Sequence, residues 1–586
     1  MATKHTLSLL LLLSFCPILP AQVDRATLTG TVTDPSGAAV PGAKVLVESA
    51  STGLLREGTS NSAGDYVLTA VPIGSYSLTF SKQGFQRKRF EEVNLSVGQL
   101  RRLDAQLAIS TASTEIQVTA AAPALQTNDA ELGLVVGEAQ VSSLPLNGRN
   151  WTALLALAPG ATNTGEGTQN TIRFNGRSRD ENNFTFDGVD ATGVKDPRQE
   201  ANLRLNISLD SIKEFRVSSG LYNAESGSGA GAQMNLVSKS GTNSFHGGLF
   251  EYFRNDKLDA RRPTDVTGKP PFRLNQFGGN LGGPMIKDRT FFFANYEGLE
   301  QRLGTTLSGS VPSDAYRQQV LATSPSLSSV LNAYKPGNFR TSNADVDSLT
   351  IFASQPWKEK SGLLKIDHRF TNSFSMFGRY NVDDGQIDEL RNALLETRVS
   401  NFRTQNAVLQ FQGIFSSNIV SETRVGFNRS ALHRATNGTF SEGVSISGLI
   451  NLQPNRLETE IGTSYSLLEN LTVIRGRHSL KLGGEYRRID LILADTGQIT
   501  TTFASRPLFA QNKADSVSFG SAVPGVKGLR PNFYLFAQDE IRLTRNLMLS
   551  MGTRYEYYKV AKTSDGRGRV FDLERCAGFC APGTTW

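Results

Sequence analysis

The feature that most constrains this chain is a two-residue periodicity repeated in segments about ten residues long, the length a tilted strand needs to cross a hydrocarbon core. In SGLLKIDHRF, Leu364, Ile366 and Phe370 share one face, while Lys365, Asp367 and Arg369 share the other. In SFSMFGRYNVD, Phe374, Met376, Gly378, Tyr380 and Val382 alternate with Ser375, Arg379, Asn381 and Asp383. In LMLSMGTRYEYY, Leu547, Leu549, Met551, Tyr555 and Tyr557 oppose Ser550, Gly552, Arg554 and Glu556. Successive side chains of a strand point to opposite faces, so each segment is a strand with one apolar and one polar side. The connections also alternate. Residues 370–374, 415–419, 474–478 and 543–547 hold tight turns, whereas 383–403, 430–466 and 494–530 read as long polar stretches. Short turns on one rim and long loops on the other predict a membrane barrel; a soluble sandwich also alternates but lacks both regularities.

The N-terminus agrees with export. Residues 1–21 carry Lys4, an apolar run over residues 7–13, and Pro20-Ala21 at a plausible cleavage point. This predicts a secretory signal peptide, since the run is too short to span a membrane. No later run is long enough for a spanning helix, so any span must be made of strands. The net charge of +7 arises from 61 basic and 54 acidic residues that are interspersed, without a long basic run. That distribution argues against a nucleic-acid partner. The five histidines, His5, His246, His368, His433 and His478, begin no H-x-x-E or H-E-x-x-H pattern. No metal, no cofactor and no enzymatic activity are expected. Cys576 and Cys580 stand close enough for a small loop disulfide in an oxidising compartment, or remain free thiols.

Three zones follow the leader, and the predicted fold class is mainly β. Residues 26–107 contain LTGTVTDPSGAAVPGAKVLVES and GDYVLTAVPIGSYSLTFSKQGFQ, period-two segments split by Pro/Gly turns. They predict a small antiparallel sandwich, and these residues resemble the carboxypeptidase regulatory-like domain, a transthyretin-like β-sandwich. Residues 115–242 open on EIQVTA, continue through a short helix at 151–158, and place strands at 212–217 and 233–239 around the glycine-rich SGSGAGA. This small mixed α/β unit resembles the plug of TonB-dependent outer-membrane receptors, and more closely their Oar-like branch. LPLNGRNWTALLALAPG, RFNGRSRDENNFTFDGVD and PPFRLNQFGGNLGGPMIKDRTFFFANYEGLEQR carry that resemblance. Residues 244–586 hold about eleven alternating strands, against about twenty-two in plugged outer-membrane transporters. An open half-barrel would leave unpaired backbone groups in lipid. The sequence is therefore expected to be a partial antiparallel transmembrane β-barrel, its C-terminal half missing.

The stretch IRFNGRSRDENNFTFDGVD, residues 172–190, groups Arg, Asp, Glu and Asn in the manner of an active site. A calcium loop counted from Asp180 has Asn182 in place but fails at Phe184 and Thr185, where an oxygen ligand and a glycine are needed. It is expected instead to be plug surface set against wall residues such as Lys365, Arg379 and Glu556, through wet and individually weak contacts. SGSGAGA lacks the Gly-Lys-Ser/Thr ending of a phosphate cradle.

The resemblance also implies a TonB box, a short extended segment that the energising protein TonB captures by strand addition. Glu115, Ile116, Gln117, Val118, Thr119 and Ala120 stand in that place. The alternative is a last strand of the sandwich. The implied whole is an outer-membrane receptor or transporter of a Gram-negative bacterium. Its sandwich would lie in the periplasm, its barrel in lipid, and its substrate, unidentified, would come from outside. The competing class is an adhesion or surface-structure protein anchored by the barrel.

Overall fold

The computed structural model describes residues 25–109, 115–119, 131–164, 171–178, 181–192, 207–227, 229–261, 268–544, 547–559, 562–563, 571–572 and 578–579. The signal peptide, Ala120, Asp180, Cys576 and Cys580 lie outside the described residues.

The N-terminal unit is a sandwich of two sheets. One is built on Ala26–Thr33, which pairs with Asp65–Val71 on one side and with Leu100–Arg102 and Ala105–Gln106 on the other. The other runs in the order Leu55–Thr59, Lys44–Glu48, Gly74–Ser81, Arg87–Leu95, Glu115–Thr119. Alternate residues of both sheets, among them Leu28, Val45, Val47, Tyr66, Leu78 and Phe80, make one apolar core. Tyr66 and Phe90 each meet Phe80 edge-on, at 5.4 and 5.8 Å between centroids.

The second unit carries a five-stranded sheet in the order Leu132–Val136, Ile212–Gly220, Gln233–Ser238, Asn183–Phe186, Val189–Asp190. The predicted helix at 151–158 is a 3-10 helix, Trp151–Leu157. Its buried residues are Trp151, Thr152, Leu154 and Leu155. Spacings of three put Trp151 with Leu154 and Thr152 with Leu155 on the packed side, which suits three residues per turn better than 3.6. Trp151 packs on Phe215 and Phe184, and the core they share takes only Phe293 and Leu363 from the surrounding wall.

That wall is one antiparallel sheet of eleven long strands in strict chain order, from His246–Asn255 to Leu547–Tyr558, with two short strands attached. Its inner residues touch the second unit from Glu297 on the third strand to Arg554 on the eleventh, so the sheet curls around that unit. Among the described residues its first and last strands each have one neighbour. The alternation holds as read: Leu364, Ile366, Phe374 and Tyr380 are exposed outside, while Lys365, Arg379, Asn381 and Asp383 are buried inside.

Two expectations about this sheet are corrected. The strands reach 24 residues, as in Val346–Arg369, about 80 Å at strand rise, so they project well past a bilayer. Residues 383–390 and 397–403, read as loop, continue the ladder up to the pair Leu390 and Thr397. Beyond the lipid the outer face no longer has to be apolar, so the hydropathy signal stops while the hydrogen bonds go on. The long connections, read as merely polar, fold together into a cap. Helices Asp314–Thr323, Ser328–Ala333 and Arg506–Ala510 join a sheet of Gly443–Ile446, Gln498–Phe503 and Ser516–Gly520. Val320, Leu331, Leu394, Ile446, Leu452 and Phe509 from four connections share its core. Glu396, 1 % exposed, ties two of them, 390–397 and 437–456: it accepts from Thr439 N at 2.9 Å, Gln453 N at 3.0 Å and Asn392 Nδ2 at 2.6 Å.

The outward face sets a test. Leu364→Arg or Val425→Arg, each placing a cation on the lipid side, is expected to cost roughly 2–4 kcal/mol in unfolding from lipid vesicles. Phe339→Arg, on an exposed cap strand, is expected to change stability by less than about 0.5 kcal/mol.

Candidate functional site

The charged stretch 172–190 resolves into parts with different partners. Ile172–Phe174 pairs with Ala161–Asn163 as a small separate ribbon. Arg177 and Glu181 form only an exposed pair at 4.0 Å. The end of the stretch is what meets the wall. Asn183–Phe186 turns back into Val189–Asp190 through Asp187-Gly188, whose φ values are +50° and +74°. Two positive φ angles across a two-residue loop define a type I′ hairpin, and Asp-Gly is its sequence signature. A Cβ on Gly188 would stand 2.9 Å from Arg424 Cζ, so glycine also lets the turn approach the wall.

Residues from five strands of the wall hold this hairpin and the strand beside it. Asp187 is fully buried and accepts from Arg379 Nε at 2.9 Å and from Ser238 N at 2.8 Å. Arg379 also donates to Phe186 O at 2.8 Å and to Asn406 O at 2.9 Å, and its guanidinium lies 3.9 Å above the Phe186 ring. Lys365 Nζ donates to Ser238 Oγ at 3.1 Å. Asn406 Nδ2 donates to Asp190 O at 2.9 Å, and Arg487 stands 3.5 Å from the Asp190 carboxylate. Arg424, also fully buried, abuts Gly188.

The expectation of wet and weak contacts is thus wrong at the centre, where Arg379 and Asp187 are both sealed from solvent. Lys365 and Arg379 face the stretch as expected, but Glu556 does not. It pairs with Arg554 at 2.6 Å and meets the plug further on, beside Gly227. There a second clasp holds residues 221–226. Gln538 Oε1 accepts from Ala224 N at 2.9 Å, Arg554 donates to Glu225 O at 3.2 Å, and Lys481 pairs with Glu225 at 2.9 Å.

The sandwich is seated on the short-turn rim, an arrangement that no sequence pattern indicates. Asp65 pairs with Arg542 at 2.7 Å, Gln412 donates to Ala70 O at 2.9 Å, and Asn243 N donates to Ser51 O at 2.8 Å. A cavity of about 900 Å³ lies between the sandwich and the 416–419 and 475–478 turns. The sandwich touches the plug too: Val97 N donates to Glu214, and Arg216 donates to Gly98 O at 3.1 Å. Burial pushes the Glu214 carboxyl up to about 7, although the Val97 N–H and Lys213 pull the other way.

Glu115–Thr119 is an extended strand at the edge of the sandwich, paired in parallel with Arg87–Glu91. The alternative reading as a last sandwich strand therefore has a structural counterpart.

A family model described as an outer membrane beta barrel domain matches residues 237–585, well over half of the chain. The TonB-dependent Receptor Plug Domain matches residues 134–232, and the carboxypeptidase regulatory-like domain matches residues 27–108. Over 293 residues the chain is 27% identical to the TonB-dependent transporter Oar of Myxococcus xanthus, covering 47% of this chain and 27% of that protein. The chain belongs to the TonB-dependent outer-membrane receptors of Oar-like type. Its fold is similar to that of the outer membrane transporter YddB from Escherichia coli, with a TM-score of 0.53 at 13% identity. That likeness covers 73% of this chain and 56% of YddB, so the chain spans about a quarter of one relative and just over half of the other.

Two outcomes follow for the receptor. Arg379→Ala leaves Asp187 buried without its cation and is expected to weaken plug seating by roughly 3–5 kcal/mol, read as faster proteolysis of the plug in intact membranes. The sandwich–plug contact is expected to depend on pH. The Glu214 carboxyl, raised by burial from 4.5 to about 7 in the folded receptor, binds its proton more tightly there than in the unfolded chain. Its contribution is complete below 4.5 and lost as pH rises through 7. Amide exchange at Val97 should accelerate across that window, and Glu214→Gln should flatten the profile.

Proposed function

We propose that this receptor moves an extracellular substrate across the outer membrane by mechanical displacement of its plug. TonB pulls on Glu115, Ile116, Gln117, Val118, Thr119 and Ala120. The observation that carries this reading is the Asp187-Gly188 hairpin, clasped by five wall strands inside the curled sheet. A plug held by a sealed ion pair does not leave by thermal motion at a useful rate, because separating Asp187 from Arg379 strands two buried charges. A directed pull is needed. The chain runs from the candidate box to Leu132–Val136, which is laddered to Ile212–Gly220, so tension on the box enters the plug sheet first.

The orientation follows from the rims. Short turns mark the periplasmic side of an outer-membrane barrel and long loops the outside. The sandwich then lies in the periplasm, where TonB acts, and the cap meets the substrate. The role read here is transport, with the plug moved and no bond of the substrate changed.

Deletion of residues 115–120 is expected to abolish energised transport while leaving the amount of receptor in the outer membrane unchanged. Mass spectrometry of cells and medium, with and without an uncoupler, would register the loss. Identical profiles for the deletion and the intact receptor would favour the anchored-adhesin class instead.

A further inference from the structure

The outward face of the wall changes character just past the apolar band, on the side of the long connections. In the second, third and fourth wall strands, Phe272–Ile286, Thr290–Pro312 and Val346–Arg369, the outward side chains are those in phase with Phe277, Tyr296 and Leu364, all exposed. Phe277 and Tyr296 pack together with 6.5 Å between ring centroids, and such aromatic rings sit at the membrane–water interface. The same phase, continued away from the short turns, brings out Arg273, Arg302, Lys358 and Lys360, each exposed. Arg273 is the second outward residue past Phe277, about 13 Å along the strand and about 10 Å in height at a tilt of about 40°. Lys360 is the next outward residue past Gly362, the register partner of Tyr296. Side chains this long reach the headgroup layer from there.

Arg273 and Arg302 are register partners, so two guanidinium groups stand side by side on one face. Like charges directly opposite each other destabilise a ladder. Among the described residues, none of the four basic side chains has a hydrogen-bond or ion-pair partner. The carboxylates that face them in register are Glu300, opposite Lys358, and Asp384, opposite Lys360, and neither closes an ion pair with them. Further round the wall the outward cations are neutralised within the chain: Arg488 and Lys527 share Asp490 at 3.0 and 3.3 Å. We infer that Arg273, Arg302, Lys358 and Lys360 form a docking site for the phosphate headgroup of an outer-leaflet lipid. A phosphate accepts parallel N–H bonds from each guanidinium and a further one from each ammonium. The acyl chains of the same molecule then lie along the exposed apolar strip of Phe277, Leu281, Tyr296 and Leu364. A soluble anion gains the first contact and not the second, which decides for a lipid. The inference rests on the orientation proposed above, with the cap outside, and is independent of the pull by TonB.

The test uses the full receptor in phosphatidylcholine nanodiscs doped with lipid A, a bisphosphorylated glycolipid, or with the same lipid stripped of its phosphates. Lipid retained on the receptor is counted by native mass spectrometry. The receptor is expected to retain lipid A with a preference of about tenfold or more over the stripped form. Arg273→Gln combined with Arg302→Gln is expected to lower that retention about tenfold, whereas Arg488→Gln combined with Lys527→Gln, at charges already paired, changes it less than about twofold. Equal retention of the two lipids overturns the inference, and that comparison needs no variant, so a folding defect does not obscure it. Undiminished retention by the Arg273 and Arg302 variant overturns it as well. Release of lipid A by inorganic phosphate would assign the site to a soluble anion and overturn the lipid. Phe339→Cys, on the cap, is expected to react with an impermeant maleimide in intact cells. Absence of label there overturns the orientation and this inference together, while a transport defect on deleting residues 115–120 bears on neither.

Discussion

Everything in this receptor descends from the requirement that backbone N–H and C=O groups in hydrocarbon find partners within the protein. Strands laddered in chain order meet that requirement, and the pleat then gives every strand a lipid face and a bore face. The bore face inherits the polar half of the alternation, which includes Lys365, Arg379, Arg424 and Arg487. Cations sealed in a bore need counter-charges: the wall supplies Glu485 to Arg487 and Glu422 to Arg424, and the plug hairpin adds Asp187 for Arg379 and Asp190 for Arg487. Asp187 and Asp190 are therefore a consequence of the wall as much as a property of the plug. The same logic explains why the plug keeps most of its apolar residues for its own core, around Trp151 and Phe215, and presents backbone oxygens and carboxylates outward, with Val189 packed on Phe377, Val408 and Leu468 of the wall.

Much of this was legible in the residues. The outward and inward faces of SGLLKIDHRF and SFSMFGRYNVD are those the alternation indicates, because lipid on one side and polar bore on the other enforce a strict period of two. The limits of the strands were not legible. Past the bilayer Asp384, Gly385 and Gln386 still pair with Arg403, Phe402 and Asn401, but no apolar solvent selects their outer neighbours. The hairpin at Asp187-Gly188 carried an available signal, the Asp-Gly turn signature, that the dense charge around it obscured. Its burial was not available, since it depends on Arg379 arriving from a strand 192 residues away.

The seating of the sandwich was less legible still. Its contacts pair single residues of distant zones, Asp65 with Arg542 across 477 positions and Val97 with Glu214 across 117. Nothing in the flanking residues of either pair marks the two as partners. Interfaces built from isolated polar pairs leave no periodic trace in a sequence, whereas the sandwich core, with Val45, Val47, Leu78 and Phe80 at alternate positions, leaves a clear one. Such polar seating, with a cavity beside it, also resembles the contacts of units that separate and rejoin.

The cap carries a consequence for how this receptor can diversify. Because four connections contribute to one core, and two of them are also joined through Glu396, they are not interchangeable fingers. Grafting one of them from a cousin would leave unfilled volume in the shared core, and replacing the 390–397 connection would also orphan the Thr439 and Gln453 donors. Ligand preference on this surface is thus inherited as a block, and recombination that respects the block boundaries, rather than piecemeal loop swapping, is the route by which it changes.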